Sequence, residues 1–143
     1  MGMTDLQNVH ERIAGKRIAS VEADGTRLVL NDGTVLHLYM SDSDCCASAD
    51  GKWVIQPDAL EAIITGVQVT PDADRSGYDG DGNTNYATIS ILHNQNPIAL
   101  ADCYANDGNG GYYFSVLSLR VVMPGDEDDV KVEVLNSDSS SSD

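Results

Sequence analysis

The stretch that decides the fold reads Arg17-Ile-Ala-Ser-Val-Glu-Ala23, Asp24-Gly25, Arg27-Leu-Val-Leu30, Asn31-Asp-Gly33 and Thr34-Val-Leu-His-Leu-Tyr-Met40. Short apolar runs are separated here by two Asp-Gly steps. Glycine accepts the positive φ that a tight primed turn requires, and Asp or Asn before it can bond the turn backbone. The pattern therefore predicts a three-stranded antiparallel meander. In its third run Leu36, Leu38 and Met40 fall on one face, and Val35, His37 and Tyr39 on the other, by the period-2 alternation of a strand.

Outward from this meander the periodicity changes. Leu6, Val9 or His10, and Ile13 recur at helical spacing, and Gly15 supplies a stop, which predicts a short amphipathic helix at the start. Residues 41–52 are polar, with Cys45-Cys46 in their middle, and read as a connection. A second short helix is expected over 58–64, after Pro57 and before Gly66. Strands are expected at 67–70, 86–92 and 98–104, with a turn at Asn94-Gln-Asn-Pro97. Residues 112–122 read as the longest strand, apolar on both faces and so covered twice. Val130, Val132 and Val134 alternate with Lys131 and Glu133 as a half-exposed edge strand. The expected class is α+β: a mostly antiparallel curled sheet of seven or eight strands with two short helices. Residues 1–135 form one domain in this reading, and 136–143 a disordered acidic Ser/Asp tail.

Charge sets limits on partners. The 143 residues carry 23 acids against 8 bases, a formal net charge of −15. From Gly125 onward there are seven acids and one base, Lys131. Such a field repels nucleic acid and anionic membranes unless a local patch overrides it, so direct nucleic-acid binding is not expected. Apolar residues make up 41%, which excludes a wholly disordered chain. No apolar run reaches the roughly 18 residues of a membrane span, and no signal peptide is legible. Cysteines in such a chain are expected to be reduced.

One loop has metal-like spacing. Asp72-Ala-Asp74-Arg-Ser76-Gly77 places oxygens at positions 1, 3 and 5 of an EF-hand-type calcium loop, with Gly at position 6. Position 7 is then Tyr78, and position 12 is Asn83, where a bidentate Glu belongs. Asp, Asn and Gly also simply make turns, so calcium is the candidate ion and no cofactor is otherwise expected.

Catalytic spacing is missing elsewhere. Cys45, Cys46 and Cys103 show no CxxC spacing, and His10, His37 and His93 are isolated. No nucleophile-elbow, zinc-protease or phosphate-loop motif occurs. An enzyme site would have to be assembled from Asp44, Cys45, Asp102 and a histidine, so an enzyme is not expected. Asn106-Asp-Gly-Asn109-Gly110-Gly111 precedes Tyr112-Tyr113-Phe114, a plausible contact patch of aromatics beside a Gly-rich loop. Arg17, Arg27 or Arg120 could focus positive potential locally against the acidic background.

Taken in order, Gly15, Lys16, Ile18, Asp32, Gly33, Thr34, Asp44, Cys45, Cys46, Gly66, Asn109, Gly110, Tyr112 and Tyr113 form a pattern that resembles a family of small uncharacterised bacteriophage and prophage proteins. The likeness covers residues 12 to 122. The Asp-rich insertion and the acidic tail depart from it. The resemblance implies a phage accessory protein in the bacterial cytoplasm, with no catalytic residues to carry over.

The expected function is therefore a non-enzymatic phage accessory protein that binds a host protein or sequesters a small ligand, including one that counteracts host defence. The tentative contact residues are Cys45, Cys46, Asn109, Gly110, Tyr112 and Tyr113. The alternative is an acidic nucleic-acid mimic that inhibits a DNA-binding host protein. Partner identity and oligomeric state are not legible.

Overall fold

In a computed structural model the described residues are 3–22, 24–43, 47–56, 59, 61–72, 77–78, 83–106, 115–124 and 130–136. The meander is present as read: β1 (Ile18–Val21), β2 (Arg27–Leu30) and β3 (Val35–Ser43) pair antiparallel in chain order. Both of its turns put the glycine in the left-handed region, but as a single positive-φ residue after Asp24 and Asp32 and not as the primed turns expected, which need positive φ at the preceding residue too. At the first, the Gly25 N–H donates to Glu22 O at 2.7 Å and the Thr26 N–H to Asp24 Oδ1 at 3.1 Å. At the second, the Gly33 N–H donates to Leu30 O at 3.0 Å and the Thr34 N–H to Asp32 Oδ1 at 3.0 Å. Gly25 and Gly33 have φ of 82° and 93°, a region that side chains with a Cβ avoid.

The remaining strands are β4 (Ser48–Ile55), β5 (Gly66–Pro71), β6 (Gly77–Tyr78), β7 (Asn83–His93), β8 (Asn96–Asn106), β9 (Ser115–Val122) and β10 (Val130–Asn136). They form two antiparallel sheets rather than one. The first has the order β1-β2-β3-β9-β10, the second β4-β8-β7-β5, with β6 paired to β7. The protein is thus a mostly antiparallel α+β structure, and register shifts in β1, β3, β7 and β10 bend its strands.

Two details differ from the sequence reading. Residues 41–52, read as a connection, hold the end of β3 and most of β4. Ala49, Gly51 and Trp53 face inward there, and small residues give little hydropathy signal. The second helix is not formed in the described part of 58–64. Instead the Ala62 N–H bonds Ala59 O at 3.1 Å in a turn, and Ile63 bridges to Arg17. The Ile64 N–H donates to Lys16 O and the Gly15 N–H to Ile64 O, both at 2.8 Å. Tertiary pairing to the chain after the first helix thus overrides local helix propensity. Among the described residues the one helix is α1 (Met3–Ile13), whose Val9 and Ile13 are fully buried; it packs across β10 and β5. Of the strand expected over 112–122, β9 is described from Ser115 on, with residues 115–119 buried on both faces as expected, and residues 112–114 lie outside the described residues.

The two sheets share one core by size complementarity. The first contributes Leu28, Leu30, Leu36, Leu38, Leu117, Leu119 and Val121; the second contributes Ala99, Ala101, Cys103 and Ala105 along β8. Cross-strand register sets Gly51 opposite Cys103 and Trp53 opposite Ala101. A Cβ placed on Gly51 would lie 3.2 Å from Leu38 Cδ1, so at this point a leucine of the first sheet seats against a glycine of the second, whose Trp53, Ile89 and Ile91 fill the rest of the core. Trp53 is buried, and its indole N–H donates to Leu36 O across the sheets at 3.2 Å.

Candidate functional site

All six contact residues expected from sequence, Cys45, Cys46, Asn109, Gly110, Tyr112 and Tyr113, lie outside the described residues, as do Asp74 and Ser76 of the Asp-rich loop. The rest of that loop is anchored on β7. The Asp72 N–H donates to Tyr86 O at 2.9 Å, and Tyr78 pairs in register with Asn83. Among the described residues no group of three or more His, Cys, Asp or Glu side chains could hold a metal ion.

Two chemically able side chains are absorbed by structure. Cys103 is buried, its thiol pointing at Ala101 O at 3.5 Å. Burial, with Asp102 and Asp50 adding repulsion, pushes this thiol up to about 12, so it is protonated at neutral pH and a poor nucleophile. His93 clamps the turn after Ala62: its Nδ1 lies 2.7 Å from Ile63 O, while Asn94 Nδ2 approaches Nε2 at 3.3 Å.

The outward face of the first sheet is different. Strand register places Arg27 of β2 opposite His37 of β3, His37 opposite Arg120 of β9, and Arg120 opposite Lys131 of β10. These four side chains form one row across four adjacent strands. With about 4.8 Å between strands, the row spans roughly 14 Å. It contains three of the chain's 8 Lys and Arg residues in a protein of net charge −15.

An aromatic layer lies against this row. The rings of His37 and Tyr39 stack with centroids 5.6 Å apart and planes 20° from parallel. The Arg120 guanidinium carbon sits 5.8 Å from the Tyr39 centroid, within cation–π range. Burial first, and then the charges of Arg27 and Arg120, lower the His37 imidazole below its ordinary value, which keeps it neutral at pH 7. Its Nδ1 is sealed from solvent with no hydrogen-bond partner among the described residues. Arg27 and Lys131 at the ends of the row are exposed, whereas His37, Tyr39 and Arg120 are half-buried. On one side the row is bordered by Val29, Val35 and Val122, and on the other by Tyr39, Ser118 and Glu133.

Of the three arginines singled out in the sequence, the fold brings Arg27 and Arg120 together and leaves Arg17 elsewhere. Arg17 Nε donates to Glu61 O at 3.3 Å, beside the Arg17–Ile63 bridge. Lys131 and His37 are the members that sequence reasoning missed. Outward placement in their strands was the available signal, but no local pattern says that β3 and β9 are neighbours.

Fold and site together define a two-sheet antiparallel α+β protein with a basic, aromatic-lined sheet face. Residues 11–119 match the family described as Domain of unknown function (DUF7448), and the chain belongs to that family. No curated protein and no solved structure matches the chain. No helix among the described residues is long and apolar enough to cross a membrane.

Proposed function

We propose that this protein is a non-enzymatic binding protein of bacteriophage origin that acts in the bacterial cytoplasm, where it binds a host protein or sequesters a small ligand and so counteracts host defence. The observation that carries the reading is the row Arg27, His37, Arg120 and Lys131 beside Tyr39. Arg27, Arg120 and Lys131 stand in one row and repel one another, and an anionic group bound there would relieve that repulsion. An open sheet face without a catalytic cluster among the described residues supports binding by contact and charge.

The test is a comparison of two tagged proteins in bacterial cells. Wild type and an Arg27→Glu/Lys131→Glu variant, both exposed positions, are recovered and their bound proteins and small molecules are identified by mass spectrometry. At least one species should be enriched on wild type and lost on the variant, with the melting temperatures of the two proteins alike. Identical inventories would overturn the reading. The rival, an acidic mimic of nucleic acid, draws on the net charge of −15. It requires a partner that duplex DNA displaces and whose affinity falls steeply with salt.

A further inference from the structure

We infer that the outer edge of β5 is a docking strand for an extended, basic segment of a partner protein, which adds to the second sheet antiparallel. The edge belongs to the other sheet from the basic row, and the inference does not depend on that row.

Backbone phase identifies the open groups. β5 is an end strand of the second sheet and pairs with β7 from Gly66↔Leu92 to Pro71↔Ala87 without a register shift. The Asp72 N–H donates to Tyr86 O, so the ladder bonds fall on residues 66, 68, 70 and 72. The N–H and C=O groups of Val67 and Val69 then point away from β7, as does the C=O of Pro71. None of these groups has a hydrogen-bond partner among the described residues. Two donors and three acceptors therefore stand in line along this edge.

The other three end strands are guarded. On β4 the outward Gly51 N–H is taken by Asp50 Oδ1 at 2.8 Å, and the Trp53 N–H by Gly25 O at 2.7 Å. β1 has a register shift between Ile18 and Ser20, and the Arg17–Ile63 bridge adjoins its start. β10 carries Lys131 and Glu133 and a register shift between Glu133 and Leu135. Charges and bulges are the usual protection of an exposed edge. β5, which reads Gly66-Val-Gln-Val-Thr-Pro71, has neither within it. Pro71 lacks an N–H and ends the template there. At the other end α1 meets β5 at Gly66, where an added Cβ would lie 3.8 Å from His10 Nδ1.

Side chains and charge define the occupant. Val67 and Val69 pack against the core, whereas Gln68 and Thr70 are exposed. An added antiparallel strand sets its inward residues beside the two valines and its outward ones beside Gln68 and Thr70, so apolar and polar residues alternate in it. The net charge of −15 attracts a strand whose polar positions are Lys or Arg. The same charge repels an acidic strand and a second copy of this chain.

The probe is a heptapeptide of alternating valine and lysine, blocked at both ends, titrated into the full chain and followed by amide hydrogen exchange in NMR spectra. Without peptide the Val67 and Val69 amides should exchange fast, and those of Gln68 and Thr70 slowly. Saturating peptide should slow Val67 and Val69 by about tenfold or more. Val69→Pro removes an outward donor and leaves the β7 ladder intact, so it should weaken binding by about fivefold, one net hydrogen bond. A second arm leaves the protein unchanged. N-methylation of the peptide at its valines, whose N–H groups face β5 in the antiparallel pairing, should abolish binding, and N-methylation at its lysines should preserve it. No binding at millimolar peptide, or binding that leaves Val67 and Val69 in fast exchange, would overturn the assignment. Protection of these amides before peptide is added would overturn it too, placing this chain's own residues on the edge or, where protection rises with protein concentration, a second copy. Equal binding of an alternating valine–aspartate peptide would refute the basic class of partner.

Discussion

Gly51→Ala tests the way the two sheets close on each other. Gly51 lies on the inner face of β4, opposite Cys103 of β8. An added Cβ would sit 2.7 Å from Cys103 Sγ, 3.2 Å from Leu38 Cδ1 and 3.4 Å from Cys103 Cβ. The first distance is far inside carbon–sulfur contact, and the sulfur belongs to a buried side chain with little room to turn. Overpacking of this kind costs about 1–3 kcal/mol. Replacing a strand glycine returns about 0.5–1 kcal/mol of backbone entropy, which from the middle of the two ranges leaves a net loss of about 1 kcal/mol. For a chain of this size that is a fall of about 2–5 °C in melting temperature. Urea unfolding followed by the fluorescence of Trp53, the only tryptophan, reads it directly. The second arm is Cys103→Ala, which removes the obstructing sulfur. Alone it should cost about 1 kcal/mol, and the double variant should be more stable than the sum of the two by a similar amount. A Gly51→Ala protein as stable as wild type, or strict additivity, would refute the closure described here.

The remaining expectations concern one ion pair and one loop. Lys16 Nζ lies 2.9 Å from Asp32 Oδ2 and donates to Thr34 Oγ1 at 2.9 Å. Burial raises the Asp32 carboxyl, but the Lys16 and Thr34 hydrogen bonds outweigh it and take the group from 3.8 down to about 2. Its contribution is therefore present above pH 3.8 and lost as the pH falls towards 2. Because the carboxylate is 43% exposed, Asp32→Asn should cost under about 1 kcal/mol at neutral pH, with the difference shrinking between pH 4 and 2. An NMR midpoint for Asp32 near 4 would contradict this. Millimolar calcium is expected to leave the melting temperature unchanged, since the loop's position 12 is Asn83 in place of a bidentate Glu. A rise that Asp72→Ala with Asp74→Ala abolishes would instead establish calcium binding there.

What the chain determined by itself was local. The Asp-Gly steps at 24–25 and 32–33 set both turns of the meander, because the positive φ and the Asp side-chain acceptor act within four residues. The alternation in β3 and β10 likewise set which side chains share a face, since strand period is a property of the single strand. The antiparallel α+β class followed from these. Partners at a distance were decided only by the tertiary structure. Residues 48–53 became a strand because Ala49, Gly51 and Trp53 found the small side chains of β8 and Leu38 of β3, a fit that no local hydropathy encodes. The turn after Gln56 displaced a helix because Ile64 exchanged hydrogen bonds with Gly15 and Lys16. The basic row shows the same division. His37 and Lys131 could be placed by the alternation of their strands, yet Arg27, His37, Arg120 and Lys131 became one row only when β9 inserted between β3 and β10, bringing residue 120 beside residue 37. Sheet register between strands so far apart in the chain is chosen by the shared core, and the outer face inherits whatever neighbours that choice supplies.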